Sequence, residues 1–107
     1  MVHSHKHKYA GTIDAVAIRN TPTSTGIVVL DWKTSNQIYS DYALQAAAYA
    51  KAWEEMNSQK VSEAWIIRMD KYQPKFEAKK VKCIDSSFDL FLSCLKLYSN
   101  KTEDQFE

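Results

Sequence analysis

The segment Ile27–Lys33, IVVLDWK, constrains this chain more than any other. Four consecutive aliphatic residues, three of them β-branched, predict a strand buried on both faces. The run then ends on a carboxylate and an ammonium. Side chains alternate along a strand, so Asp31 and Lys33 share one side while Leu30 and Trp32 take the other. A charged pair at the end of a buried strand must find polar partners, because desolvating an unpaired charge is costly.

On the predicted strand Thr12–Arg19, Asp14 is the only acid, within TIDAVAI. The polar stretch Asn20–Thr25 between the strands carries Pro22, and Gly26 closes it, so an antiparallel hairpin is the simplest arrangement. With the turn centred on Pro22–Thr23, paired residue numbers sum to forty-five and Asp14 falls opposite Asp31. Facing positions place Cβ atoms roughly 5 Å apart, and two carboxylates that close repel. A shared proton, Lys33 or a divalent cation could relieve them. Two Asp side chains and a backbone carbonyl suit Mg²⁺ or Mn²⁺, hard ions that keep several waters and accept phosphate oxygens. A neighbouring lysine adds positive charge where a phosphoryl transition state accumulates negative charge. Such equipment suits phosphodiester hydrolysis.

Downstream, ALQAAAYAKAWEEM is a strong helix-forming stretch. It predicts a helix from Ser40 or Asp41, which would cap it, to about Asn57, with Tyr42, Gln45, Tyr49, Ala52, Trp53 and Met56 as the inward stripe. Lys51, Glu54, Glu55 and Ser58 fall on the opposite side. Gln45 is the one strongly polar member of the stripe and needs a partner across the interface, since an unpaired buried amide costs about 1–3 kcal/mol. A strand over Val2–Tyr9, a central strand over Glu63–Met69, a lysine-rich edge strand over Lys75–Cys83 and a last helix from Ser86 or Ser87 complete a β-β-β-α-β-β-α order. That helix has Phe88, Phe91, Cys94, Leu95 and Tyr98 as its stripe. The expected fold class is α/β, a mixed central sheet of about five strands flanked by helices. At 107 residues this is one domain, 1–107, with 1–8 and 99–107 expected as loose ends.

Three motifs in this order and spacing, G-T-I-D at Gly11–Asp14, D-W-K-T at Asp31–Thr34 and Q-A-A-A-Y at Gln45–Tyr49, resemble the PD-(D/E)XK nuclease superfamily. More narrowly they are similar to its RecB-type branch, with motifs GxxD, (D/E)xK and QxxxY. That branch includes CRISPR-associated single-strand exonucleases, a mitochondrial genome maintenance exonuclease and many phage proteins. The resemblance implies a restriction-endonuclease-like core and a Mg²⁺- or Mn²⁺-dependent deoxyribonuclease, exonuclease-like, acting on single-stranded DNA or duplex ends in repair or recombination. It assigns metal binding to Asp14, Asp31 and the Trp32 carbonyl, and catalysis to Asp14, Asp31 and Lys33. Gln45 and Tyr49 would position DNA and support the site, with Thr34 and Ser35 as further phosphate contacts. The family core opens with a helix, whereas this chain starts almost inside its first strand. The expectation is therefore a fragment or a minimal form, with a second copy or a partner chain as cover for the sheet. The competing reading is a catalytically silent nuclease-like module for DNA binding or assembly.

Other patterns carry less. Fourteen basic against thirteen acidic side chains exclude a general polycation, so DNA would be held by a local patch or through a metal. No apolar run nears the ~20 residues of a membrane span and no signal peptide is evident, so the expected location is intracellular, cytoplasmic or nucleoid-associated, and not secreted. Cys83 and Cys94 read as buried small hydrophobes or surface thiols rather than a zinc site. His3, His5 and His7 alternate on one predicted strand face, a spacing able to grip a transition metal, although a flexible basic end is the plainer reading. Lys71, Lys75, Lys79, Lys80 and Lys82 read as a solvated edge, and Trp32, Trp53 and Trp65 as core.

Overall fold

The computed structural model describes residues 1–35 and 37–102, and for 21, 24 and 98–102 it describes the backbone alone. Eight elements follow in order: β1 (Val2–Ser4), β2 (Tyr9–Gly11), β3 (Ala15–Thr21), β4 (Ser24–Lys33), α1 (Ser40–Asn57), β5 (Val61–Met69), β6 (Phe76–Lys80) and α2 (Ile84–Thr102). Among the described residues four strands, not about five, form the main sheet in the order β3-β4-β5-β6. The β3–β4 hairpin turns at Pro22–Thr23, and its pairs, Ala15 with Leu30 through Thr21 with Ser24, keep the sum of forty-five. Gly26 lies inside β4 rather than in the turn, and glycine suits it because a Cβ there would run into the Ser62 side chain. From β4 the chain crosses through α1 to a parallel β5, the right kind of connection for strands that cannot be joined by a tight turn. β5 is central and β6 is an edge, exposed at all five positions as its lysines predict.

The N-terminal strand divides in two. Ser4 accepts an amide hydrogen bond from Lys8, whose φ of 60° turns the chain back, and β1 pairs with β2 as a separate ribbon. The ribbon is docked rather than loose. Val2 and Ser4 are buried, and the Glu55 carboxylate receives the Ser4 hydroxyl and the amides of His5 and Lys6 at 2.7–3.1 Å.

The stripe expected on α1 holds for Tyr42 and Trp53, which pack against the core, and for buried Ala52, and it fails at Met56. The buried residues of the helix are Ala46, Ala47, Ala48, Ala50 and Ala52, whereas Met56 is 45 % exposed. Alanine on several sides lets the sheet, the ribbon and α2 all approach the helix closely, so no single bulky stripe is needed. Neither Ser40 nor Asp41 caps α1; Tyr39 occupies the N-cap without a side-chain hydrogen bond. Lys51 and Glu54, placed on the solvent side by periodicity, are half-buried where Lys51 meets Asp85 of α2 and Glu54 accepts the Val61 amide. α2 begins at Ile84, before the expected Ser86, and its backbone is helical to Thr102; 103–107, most of the expected loose end, lie outside the described residues. Both cysteines are exposed. Trp53 and Trp65 are half-buried, and Trp32 is 38 % exposed. The core joins Val29, Ala64 and Ile66 of the sheet to Ala46 and Ala50 of α1 and to Val61 and Val81. The opposite face of the sheet has no described element over it, which is why Trp32 is not core.

Candidate active site

Asp31 ends the apolar run on the helix-covered face, in register with Ile66 of β5, and is 4 % exposed. Asp14 lies one step beyond the last β3–β4 pair, where the hairpin register carries it opposite Asp31. Its Oδ2 accepts the Trp32 amide at 2.8 Å, which pins the acid against β4. The two carboxyl groups are within hydrogen-bonding reach of each other. Burial, followed by the Asp14 carboxyl, pushes Asp31 up to about 6 against the opposing pull of Lys33. Among the described residues, Asp31 Oδ2 is the one buried side-chain oxygen or nitrogen without a directed hydrogen bond.

Lys33 lies two residues on, on the same side of β4. Its Nζ is 3.2 Å from Asp31 Oδ2 and donates to Gln45 Oε1 at 2.6 Å. The ammonium also sits 5.0 Å from the centre of the Tyr42 ring. The partner that Gln45 requires is thus Lys33. One turn along α1, Tyr49 is close enough to Asp31, Lys33 and Asp14 for their charges to act on it, and burial together with the Asp31 charge raises its pKa. Tyr49 also explains Gly11. A Cβ at residue 11 would penetrate the Tyr49 ring, so only glycine lets β2 pass that close.

Thr34 is exposed, and the Ser35 hydroxyl is spent on the Gln37 carbonyl at 2.7 Å. The site has one organiser that sequence reading passed over. Arg68 is in register with Lys33 on β5, donates to the Ser35 carbonyl at 3.1 Å and pairs with Glu77 at 3.4 Å. It therefore holds the chain leaving Lys33. A cation at the parity of Ala64 and Ile66, on a core-facing row, was the signal.

The donor set has a definite limit: among the described residues no three His, Cys, Asp or Glu side chains converge to hold a metal. Two carboxyl groups do converge, and the buried Asp31 oxygen meets the Lys33 charge without a directed hydrogen bond; such a pair fits a hard divalent ion that retains most of its water.

Comparison with known proteins extends the likeness beyond these motifs. No curated protein matches the chain. The family model of the superfamily matches residues 7–106, from the turn of the ribbon to beyond α2. With this match and with its mixed sheet and crossover helix, the chain belongs to the PD-(D/E)XK nuclease superfamily.

Proposed function

We propose that this chain is a metal-dependent nuclease domain of the RecB-type branch, hydrolysing DNA phosphodiester bonds at single strands or duplex ends. The observation that carries the reading is the meeting of Asp14 and Asp31 beside Lys33, with an Asp31 oxygen buried and undirected. Asp14 and Asp31 would hold Mg²⁺ or Mn²⁺. The Trp32 carbonyl would join them, since a strand sends a residue's carbonyl to the same side as its amide, and that amide already meets Asp14. The ion would supply Lewis-acid stabilisation of the phosphoryl oxygens.

The remaining roles belong to the chain's own groups. Lys33 presents its ammonium to the phosphate, and Gln45 fixes the direction of that ammonium. Tyr49, seated over Gly11, walls the carboxylate pair and keeps its surroundings poorly hydrated. Arg68 fixes the loop in which Thr34 offers a phosphate contact, while Ser35 can do so only by giving up Gln37.

Labelled single- and double-stranded DNA incubated with Mg²⁺, Mn²⁺ or EDTA tests the reading. Cutting that needs the metal and falls about 10²–10³-fold in Lys33→Ala, the usual cost of one transition-state contact, supports it. Asp31→Asn should abolish cutting as well. DNA bound but uncut would favour the silent module, a reading to which the short donor set lends weight. Neither binding nor cutting would sink both.

A further inference from the structure

The three N-terminal histidines do not act as the alternating strand that their spacing suggests. β1 stops at Ser4, so His5 sits in the turn and His7 swings away, its ring edge-on to Phe88 at 5.4 Å. His3 and His5 are brought together instead. Their rings meet edge-to-face at 4.5 Å between centroids, with the two Nε2 atoms 3.0 Å apart.

We propose that His3 and His5 form a second metal site, separate from the carboxylate pair and selective for Cu²⁺ or Ni²⁺. Imidazole nitrogens bind such an ion at about 2.0–2.1 Å, so two of them stand about 2.9 Å apart at a right angle and about 3.3 Å apart at a tetrahedral one. The observed spacing fits the right angle of square-planar, tetragonal or octahedral ions better than tetrahedral zinc. Imidazole also prefers these ions to Mg²⁺ or Mn²⁺, which favour oxygen. No proton need leave. In the empty pair one Nε2–H faces the other Nε2; on binding that proton moves to Nδ1 of the same ring and the two rings tilt off the line between the nitrogens, so that both lone pairs meet the ion.

The backbone beneath the pair is built, not free. Glu55 accepts the amides of His5 and Lys6 and the Ser4 hydroxyl, and the Ser4 hydroxyl oxygen in turn accepts the His7 amide. With both oxygens engaged, Glu55 orders the pair rather than serving as a third ligand. Water or a ligand from solution completes the coordination.

The test is titration of the whole chain with Cu²⁺ and Ni²⁺ in buffer containing excess Mg²⁺, read by calorimetry, with the Cu²⁺ form also examined by electron paramagnetic resonance. One ion per chain and two coordinated imidazole nitrogens are expected. His3→Ala and His5→Ala should reduce binding to background, while His7→Phe, which keeps a ring against Phe88, should leave it unchanged. Glu55→Ala retains all three histidines yet should weaken binding roughly tenfold or more, the usual effect of losing a supporting partner. Asp31→Asn should change nothing. A flexible histidine-rich end would lose as much affinity in His7→Phe as in His5→Ala, and that result overturns the proposal. So does a resonance spectrum showing one or three imidazole nitrogens, a count taken on the unaltered protein and so independent of whether any variant folds.

Discussion

Asp31 is where composition, burial and charge conflict most sharply. Its carboxyl is raised to about 6 by burial and by Asp14, above the ordinary value of 3.8. A group with a raised folded pKa stabilises the fold below its unfolded value and loses that contribution as pH rises through the folded one. Without a divalent ion, stability should therefore fall between about pH 4 and pH 6, and the fall should shrink in Asp31→Asn, as thermal melts across that range would record. Mg²⁺ held by the pair, as proposed, would reverse the logic by favouring its ionised form. The Mg²⁺-induced rise in melting temperature should be present at pH 7.5 and fade below about pH 6. Gly11 offers a second test at this scale. Gly11→Ala places a methyl group into the Tyr49 ring and should cost about 1–3 kcal/mol in chemical denaturation, a loss that Gly11→Ala with Tyr49→Ala should partly recover. Asp14, Asp31 and Lys33 were legible from parity and hairpin arithmetic, because both are rules of local geometry. Arg68 was passed over because its partners Ser35 and Glu77 are distant in sequence or on another strand.

Among elements, the hairpin and the ribbon contrast. β3 and β4 alternate or run apolar around a two-residue turn, so their pairing follows from sequence neighbours alone. The ribbon β1–β2 depends on a carboxylate from α1, fifty residues away. Glu55→Ala should therefore release the amides of residues 2–11 to rapid hydrogen exchange while β4 and β5 amides stay protected. Equal loss of protection in both would mean that the ribbon is part of the cooperative core. The α1 stripe was read too narrowly for a related reason: Tyr42 and Trp53 do pack inward, but alanines on the other sides are buried as well. Periodicity locates a bulky face, but a helix packed on several sides by alanine has no single face to find.

For the whole molecule, the two faces of the sheet differ. One is covered by α1 except at β3, where Ile18 is exposed, and the other presents Trp32, Met69 and Phe76, the last 75 % exposed. Exposed apolar surface of this extent should bind a hydrophobic dye. Met69→Thr with Phe76→Lys should lower dye fluorescence severalfold and leave the melting temperature nearly unchanged, as surface substitutions usually do. A closed face would show no such drop. The chain's own order of residues dictated the four strands of the main sheet, the main helix, the hairpin register and hence the approach of two acids and a lysine, because hydrogen-bond geometry and side-chain alternation act between near neighbours. Packing alone settled the docking of the ribbon, the pairing of His3 with His5, the alanine seat of α1 and the exposure of Trp32. Each of those depends on which distant surface arrives, and burial is a property of the assembled fold rather than of any segment.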